Sequence, residues 1–388
     1  MKKYLAWLPI ASILAYSCSE NQEQADTTPL SSQELKFEIY DSLLVDLLGN
    51  LILMDISPSG EKYLLLEQTS GDIILTDQDG KISHQYNRTG DGPENYPGSR
   101  IGLGQFISEE SYFIPTMLGF YEYNLSGELL RKYEPDFTTG ATLLISNSRN
   151  HIFHEGKIYS NLGDRAADEG LSGLELQQNT NKVEVINLTD STYQPSVPIP
   201  TQSRFSSSEE LFPDIAHYSH LAIKDDSLYL MFRNEPVLYS YPISDLTSPS
   251  SVRNIPFDPF VLVETEDPED RSSFRIRDLF TGTINFFIPM GDDKFLIEYL
   301  SGLEDDQANE IINNSESDFG KMFEEAIKIN QGGLTIFDGK NLSPFIEKEE
   351  ILGSLNKFVS KDEIWFALNF EEVENDYSVL YKTRLVAK

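Results

Sequence analysis

A single pattern recurs along this chain of 388 residues. Two apolar segments are joined by a short polar turn, and an Asp-Gly turn or its equivalent leads into a further segment. The pattern is clearest in Glu61–Ile82, EKYLLLEQTSGDIILTDQDGKI, and it returns from Ser111 and from Ser227. One copy is too small to bury its own apolar face, so neighbouring copies must pack together. The pattern therefore predicts a repeat architecture made of small β-sheets.

The copies align on the second strand of each unit, where a polar or turn residue precedes an aromatic residue flanked by aliphatic ones. Runs such as Leu64–Leu66 and Leu228–Phe232 are continuously apolar, as expected for strands covered on both faces. We predict an all-β fold, a six-bladed β-propeller of four-stranded antiparallel blades with one short helical insertion. The six aligned aromatic residues are Tyr63, Tyr112, Tyr159, Tyr229, Phe295 and Trp365.

Two alternatives follow from the same strands. An all-β sandwich or a pair of barrels also produces short strands separated by turns, but neither explains copies that align with one another. A count of seven blades is the alternative within the propeller class.

The two ends of the chain are complementary. Lys36–Leu47 has strand character but comes before the first complete blade, whereas the last blade, from about Asn356 to Ala387, supplies only three strands. An N-terminal strand commonly completes the last blade of a closed propeller. We therefore predict that Lys36–Leu47 is the fourth strand of the last blade.

The first 18 residues have the layout of a secretion signal. Lys2 and Lys3 precede an apolar run from Tyr4 to Tyr16, which is too short to span a membrane and is followed at once by polar sequence. We therefore expect the protein to be exported, to lose this segment and to act outside the cytoplasm.

Cys18, the only cysteine of the chain, directly follows the apolar run and resembles the lipidated cysteine of bacterial lipoproteins. Leu14-Ala15 lies one residue farther upstream than in the usual motif, and the alternative is an ordinary cleaved signal with an incidental cysteine. With one cysteine no intramolecular disulfide is possible. We predict lipidation at Cys18, a flexible tether over 19–33 and a single propeller domain over 34–388.

A glycine- and proline-rich loop, Arg88–Gly98, lies between the first two blades and predicts tight, irregular backbone. Part of it resembles the G-x-G-P-x-x-Y segment of uncharacterised six-bladed propeller lipoproteins of Bacteroidota, in particular the family of unknown function numbered 4221. That resemblance implies an outer-membrane lipoprotein on the periplasmic or cell-surface side, and it implies no activity. We treat the loop as a candidate ligand-binding segment. Its residues are Gly90, Asp91, Gly92, Pro93, Glu94 and Tyr96.

A phosphate-binding loop is the sharper interpretation of these glycines. No Lys-Ser/Thr pair follows them and no helix is evident, so the sequence argues against it.

The longest connections fall in one topological class. In a four-stranded blade, the loop from the second to the third strand and the connection to the next blade emerge on the same side, because the strands alternate in direction. We predict one tall, acidic, binding-competent side centred on the channel mouth near Gly90–Tyr96, and one flat side. The long segments are Arg88–Gly98, Asn161–Asn181, Pro195–Pro213, Leu246–Thr283 and Gly302–Gly332.

Within Gly302–Gly332, apolar residues occur at helical spacing and predict a short amphipathic helix. We expect the apolar residues of this helix to pack on the propeller rather than to face a partner. These residues are Phe319, Met322, Phe323, Ala326 and Ile327.

The formal net charge is −33, and no basic cluster offsets it. Such a field repels nucleic acid and anionic lipid headgroups, so nucleic-acid binding is excluded. Acidity also favours solubility outside the cytoplasm, which is explanation enough for the charge.

Acidic clusters invite a calcium interpretation, but calcium needs about six to eight converging oxygen ligands. Asp225-Asp226 and Asp292-Asp293 both precede a second strand, a place that suits a turn better than a metal cage. Glu304-Asp305-Asp306 and Glu371-Glu372 are the other clusters. We predict no cofactor, with a metal as a less favoured alternative.

Two histidine pairs precede second strands in blades three and four, namely His151/His154 and His217/His220. Residues three apart on a strand point to opposite faces, so at most one of each pair can face the channel. His154 and His220 are the candidate metal ligands, and packed or hydrogen-bonded histidines are the ordinary alternative.

Two functions remain. The first is a non-enzymatic binding module, a lipid-anchored monomer that takes a protein, peptide or glycan. The second is an extracytoplasmic metal-dependent hydrolase or lyase with its site in the channel. The sequence contains no G-x-S-x-G elbow and no H-E-x-x-H motif, so it names no catalytic residue.

Overall fold

The computed structural model describes residues 30–97, 99–139, 149–163, 165–266, 275–315, 318–370 and 377–388. In these residues the strands form six small antiparallel sheets, which we call blades. The first strands of most successive blades contact one another around a central channel. The predicted six-bladed β-propeller is therefore confirmed, and the sandwich and the seven-bladed count are excluded.

In each blade the first strand lies innermost and the strands follow one another outwards. Blade one contains β2 (Leu51–Ile56), β3 (Lys62–Glu67), β4 (Ile73–Asp77) and β5 (Ile82–Tyr86). Blade two contains β6 (Gln105–Phe106), β7 (Ser111–Thr116), β8 (Gly119–Asn124) and β9 (Leu129–Tyr133). Blade three contains β10 (His151–His154), β11 (Lys157–Ser160), β12 (Asn181–Asn187) and β13 (Thr192–Pro198).

The second half of the ring continues this order. Blade four contains β14 (Ser219–Lys224), β15 (Ser227–Phe232), β16 (Val237–Pro242) and β17 (Ser251–Asn254). Blade five contains β18 (Thr283–Gly291), β19 (Lys294–Leu300) and β20 (Gly332–Phe337). Blade six contains β21 (Leu352–Ser360), β22 (Glu363–Leu368), β23 (Ser378–Ala387) and the N-terminal strand β1 (Leu35–Val45).

Blade five departs from the predicted four strands. Residues 341–346 run beside β20, and the amides of Ser343 and Ile346 donate to the carbonyls of Ile336 and Leu334, each at 2.8 Å. Pro344 lies between these two residues and has no N–H to donate, so the hydrogen-bond ladder cannot be continuous there. The outer edge of blade five is therefore an irregular segment rather than a strand.

The ring closes through its N-terminal strand, as predicted. β1 pairs antiparallel with β23 from Leu35↔Ala387 to Val45↔Ser378. Phe37 of β1 is buried and packs edge-on against Phe366 of blade six, with 4.9 Å between ring centroids. The surplus strand at one end of the chain thus supplies the missing strand at the other.

The six aligned aromatic residues all lie on second strands, and several pack between blades. Tyr63 of blade one meets Trp365 of blade six with ring centroids 5.2 Å apart. Tyr229 of blade four meets Phe295 of blade five at 5.0 Å. The repeat is visible in the sequence because each blade contributes one such side chain to the apolar contact with its neighbour.

Polar side chains on the inner strands join neighbouring blades by accepting a backbone N–H from the next one. We call these four residues the inner clasps: Asn356 accepts from Leu53 (3.0 Å), Asp55 from Phe106 (2.8 Å), Gln105 from Phe153 (3.0 Å) and Asn150 from Leu221 (3.1 Å). Inner strands of adjacent blades diverge too far for a continuous ladder, so side chains satisfy these buried amides instead.

The two sides of the ring differ in the length of most of their loops. On the side we call the turn face, two-residue turns join first to second strands at 155–156, 225–226, 292–293 and 361–362. Asp225, Asp292 and Asp293 have φ of 51°, 50° and 57°, values that Asp tolerates in tight turns. The turn interpretation of these acidic pairs is confirmed.

The opposite side, the loop face, carries the second-to-third loops and the connections between blades. The predicted segment Leu246–Thr283 is divided by β17, so that 246–250 belongs to a turn-face turn. Helices occur in the second-to-third loops of blades three and five, where the sequence had predicted one helix only. They are α1 (Arg165–Asp168), α2 (Gly173–Asn179), α3 (Asp305–Asn314) and α4 (Phe319–Ile329).

Candidate functional site

Cavities lie along the channel and beside blades five and six, from the loop face to the turn face. At the loop face lies a cavity of about 340 Å³, which we call the mouth cavity. A constriction of about 170 Å³ follows, with walls that include Met54, Ile152 and Phe358. A cavity of about 760 Å³ opens towards the turn face. The constriction also has polar walls, Gln105 and Lys357. It shares Leu103, Arg149 and Leu221 with the mouth cavity, so the mouth cavity continues into it.

The mouth cavity combines apolar walls with a small charged group. Its apolar lining includes Ile52, Leu103, Leu221, Phe286, Phe287 and Leu355. Its charged lining within the described residues consists of Arg149, Arg233 and Glu298. Few polar groups set in an apolar cavity of this size are typical of a small-ligand site.

Arg149, which directly precedes β10, is held in place on every side. Its Nη2 donates to the carbonyls of Leu355 and Asn356, the second at 2.6 Å, and its guanidinium lies 5.0 Å from the ring centre of Phe286. Burial lowers the pKa of Arg149 to about 10, and the charge of Glu298 opposes that shift. Arg149 therefore links blade three to blades five and six across the channel.

Arg233, which directly follows β15, is anchored only through its backbone. Its N–H donates to the carbonyl of Tyr218, and its carbonyl accepts from the N–H of Ile284, both at 2.8 Å. Its half-buried side chain makes no hydrogen bond or ion pair with any described residue, and burial lowers its pKa. Arg233 is thus a cation in the mouth cavity whose donors bind none of the described residues.

His220 and Glu298 complete the polar lining. His220 is 4% exposed, and its Nε2 has no hydrogen-bond partner among the described residues. Burial, reinforced by the charge of Arg233 and opposed by a hydrogen bond with the backbone of Ile284, lowers the pKa of His220 to about 3, so this histidine is neutral at pH 7. Burial raises the pKa of Glu298, whose Oε2 accepts from Asn285 at 3.4 Å.

The predicted metal ligands do not come together. His220 is at the loop-face start of β14, whereas His154 ends β10 beside the two-residue turn at the turn face. The ring of His154 lies against Tyr159, with 6.5 Å between centroids. Within the described part of the chain, no group of three or more His, Cys, Asp or Glu residues is placed to hold a metal ion. Glu371-Glu372 lies outside the described residues.

The other two histidines of the pairs serve the fold. His151 contacts Ser160 Oγ at 2.7 Å and the carbonyl of Ile101 at 3.1 Å. His217 Nδ1 is 2.9 Å from Nζ of the buried Lys182. Burial lowers the pKa of each histidine to about 4, and the charge of Lys182 contributes to the shift of His217.

The glycine-rich loop lies at the outer rim rather than at the channel mouth. The amides of Gly90 and Tyr96 close it through bonds to the carbonyls of Tyr96 (3.1 Å) and Arg88 (2.8 Å). Tyr96 is 2% exposed and packs among the core residues of blades one and two, including Tyr123. The loop follows the outermost strand β5, which is why its contacts are peripheral, and its residues do not line the mouth cavity.

The individual loop residues have clear local roles. Gly90 has φ of 122°, which favours glycine, and a Cβ on Gly92 would meet Asn95 at 2.9 Å. Glu94 pairs with Arg88 at 3.4 Å, and its carbonyl accepts from Tyr123 Oη at 3.0 Å. Asp91, Pro93 and Glu94 are exposed, whereas Gly98 lies outside the described residues. Ligand binding by this loop stays a prediction.

Helix α4 divides its apolar residues between core and solvent. Met322 and Ala326 are buried with Phe280, Leu303 and Ile311. Phe319, Phe323 and Ile327, which we call the apolar stripe, are 46%, 42% and 76% exposed. The expectation that these residues pack on the propeller is therefore wrong for Phe319 and Ile327, because only one edge of the helix faces the loop-face core. Phe323 keeps a contact with Phe280, with 5.8 Å between ring centroids.

No protein-family model matches the sequence, and no curated protein matches it. Two solved structures are similar in fold. A member of the DUF4221 family from Bacteroides vulgatus has a TM-score of 0.57 and 12% identity, over 92% of this chain and 99% of that one. A Bacteroides fragilis protein named as exported has a TM-score of 0.50 and 13% identity, over 94% and 97%.

Similarity at this identity shows a common fold, and it supports the resemblance to the family numbered 4221 at that level. None of the helices in the described part of the chain has the length and apolarity needed to cross a bilayer.

Proposed function

We propose that this protein is a lipid-anchored, extracytoplasmic binding module that holds a protein partner on its loop face. The observation that carries the proposal is the apolar stripe on α4. Three large apolar side chains at positions i, i+4 and i+8 lie on one side of a folded helix and remain exposed. Contiguous exposed apolar side chains of this kind mark protein interaction sites.

The helix is built to present the stripe rather than to hide it. Asp318 caps α4 by accepting from the N–H of Lys321 at 3.2 Å, and Met322 and Ala326 fix it to the loop-face core. Arg277 ties the preceding connection to Asp305 of α3 at 2.7 Å. Burial of an exposed Phe or Ile side chain in a complex contributes about 2 kcal/mol, so the stripe can supply a substantial part of a binding free energy.

Charge defines the partner more closely. Exposed carboxylates outnumber exposed lysines on α3 and α4. Of the two lysines, Lys328 is paired with Glu325 at 2.7 Å and Lys321 donates to the carbonyl of Asn314. We therefore infer a partner surface with an apolar patch and a basic rim. Acidic turns such as Asp292-Asp293 occur on the turn face too, so charge alone does not choose the side. The carboxylates near the stripe are Asp305, Asp306, Glu310, Asp318, Glu324 and Glu325.

The direction of the anchor supports the same side. β1 is the outermost strand of blade six, and its first residue, Leu35, lies at the turn face together with Leu30 and Gln33, which line the turn-face cavity. A tether over 19–33 lipidated at Cys18 therefore leaves from the turn face. We infer that a lipid anchor at Cys18 would reach the membrane from the turn-face side and leave the loop face accessible to a partner.

The proposal is tested by photo-crosslinking in the native cell envelope. A crosslinking residue at Ile327 is expected to capture one defined protein, whereas the same residue at Asp190 on the turn face is not. Phe319→Ser/Ile327→Ser is expected to abolish co-purification of the captured protein, and the control Leu130→Ser/Val252→Ser, at exposed positions on outer strands, should leave it intact. Capture that survives Phe319→Ser/Ile327→Ser would overturn the proposal, as would a crosslink to a second copy of this chain.

The alternative of a metal-dependent hydrolase or lyase gains no support from the described residues. His154 and His220 lie at opposite ends of neighbouring inner strands, and the geometry brings no second carboxylate or histidine to either of them as part of a three-ligand group.

A further inference from the structure

We propose that the mouth cavity binds a carboxylate attached to a small apolar group, with Arg233 as its principal contact. This inference goes beyond the binding of a protein on the loop face, although it uses the same side of the ring. The carboxylate can belong to a free organic acid or to the C-terminus of a peptide, and the two sources share one recognition chemistry.

The first argument is the unused capacity of Arg233. A guanidinium removed from water is costly unless its donors find acceptors. Arg149 in the same cavity satisfies this requirement through the carbonyls of Leu355 and Asn356. Arg233 has no such acceptor among the described residues, and its planar fork is suited to a carboxylate that accepts two hydrogen bonds.

The second argument is the unpartnered nitrogen of His220. A polar atom buried this deeply normally has a hydrogen-bond partner. Nε2 of His220 has none within the described residues, although the side chain lines the same cavity as Arg233. Two side chains on adjoining strands of blade four therefore leave polar atoms unused around one space.

The charged residues of the lining determine the charge that a ligand should carry. Arg149 and Arg233 contribute two positive charges to the lining, and Glu298 contributes one carboxylate. An excess of one positive charge matches a monocarboxylate better than a phosphate or a dicarboxylate. The net charge of −33 disfavours multiply charged anions further, so attraction must come from the cavity itself.

The fourth argument sets the body of the ligand. Phe286, Phe287, Leu221 and Leu355 supply apolar walls. A volume of about 340 Å³ accommodates a small aromatic or branched group beside the carboxylate. The apolar walls would contribute nothing to the binding of an inorganic anion.

The test is calorimetric titration of the full-length protein in detergent with phenylacetate, its neutral isostere phenylacetamide, sulfate, and a short peptide ending in Phe with a free or an amidated C-terminus. We expect one site for phenylacetate or for the free-carboxylate peptide, and the stronger of the two identifies the source. The neutral compounds should not bind. Arg233→Met should weaken binding about 10- to 100-fold, Arg233→Lys less, and the surface control Arg384→Met not at all.

Arg233→Met should leave the melting temperature nearly unchanged, since the side chain makes no hydrogen bond or ion pair with the described residues, and this separates lost binding from lost folding. Equal binding of phenylacetamide, binding of sulfate as tight as that of the acids, unchanged binding by Arg233→Met, or no binding of any acid would each overturn the inference. If acids fail to bind while Ile327 still crosslinks its partner, this inference falls and the proposed function stands. The reverse result would leave the cavity assignment and remove the protein partner.

Discussion

In the channel wall, polar side chains lie among apolar strands, and most of them hold the next blade in place. In the blade-five insertion, apolar side chains lie among exposed carboxylates, and four of those on α4, Phe319, Phe323, Ile327 and Ile329, are exposed. Asp55 represents the first region, because it accepts from the N–H of Phe106 at 2.8 Å and pairs with Lys357 at 2.6 Å. Ile327 represents the second, because it is 76% exposed.

The difference teaches where to look for function on this scaffold. A polar side chain among apolar residues stabilises the fold when its hydrogen-bonding groups are satisfied by other residues. Arg233 lies in a largely apolar cavity without a hydrogen bond to the described residues, and the apolar stripe is exposed to solvent. The two proposals rest on these unused contacts. Substitutions in the channel wall should therefore destabilise the fold, whereas polar substitutions in the apolar stripe should not.

The largest effect is expected from Asp55→Ala in the channel wall. The substitution removes the acceptor for a buried backbone amide and the partner of Lys357, and it should lower the free energy of unfolding by about 2 to 3 kcal/mol. Urea denaturation followed by tryptophan fluorescence measures this value. Asp79→Ala, at an exposed turn-face position, is the matched control and should change stability by less than about 0.5 kcal/mol. Equal losses for both would show that the inner clasps do not hold the ring.

The comparison also explains what the sequence could predict. The blades were predictable because strand alternation, Asp-Gly turns and the inter-blade aromatics such as Tyr63 and Trp365 are local signals that repeat. Ring closure was predictable because a surplus strand and a missing strand can be counted. The location of the glycine-rich loop was not, since the burial of Tyr96 at the rim depends on tertiary packing with blade two.

The mouth cavity had only a faint signal. Arg149 and Arg233 come from different blades, and a single sequence gives no reason to place them together. Each arginine is followed by asparagine; Arg149 comes just before a strand and Arg233 just after one. In Leu228–Arg233 the charged residue ends a continuous apolar run. Such a residue is a candidate for the channel mouth once the repeat has been aligned, because second strands end at the loop face.

A smaller effect is expected from acid titration of the channel wall. The pKa of His220 is lowered by burial to about 3, whereas the unfolded chain has a histidine pKa of about 6.5. Between these two pKa values the unfolded state binds a proton at His220 and the folded state does not. The free energy of unfolding is therefore unaffected by His220 above pH 6.5 and falls as the pH drops from 6.5 towards 3. The loss is about 1.4 kcal/mol per pH unit for each such histidine.

His220→Asn should therefore flatten the decline in the free energy of unfolding between pH 7 and pH 5 by up to about 2 kcal/mol, whatever it does to stability at pH 7. His84→Asn, at an exposed position on β5, should leave the decline as it is. A decline that is the same in all three proteins would mean that His220 is reached by protons in the folded state, and the mouth cavity would then be wetter than its lining indicates.

The smallest change in stability is expected when apolar residues of the stripe are replaced by serine. Phe319 and Ile327 are 46% and 76% exposed, so Phe319→Ser/Ile327→Ser removes little buried area and should change the free energy of unfolding by less than about 0.5 kcal/mol. Met322→Ala, one turn away on the buried edge of the same helix, leaves a cavity beside Phe280 and should cost about 2 kcal/mol or more. Thermal denaturation of the three proteins at one pH decides the matter. If the stripe variant loses as much stability as Met322→Ala, the stripe belongs to the fold, and its exposure can no longer be used as an argument for a partner.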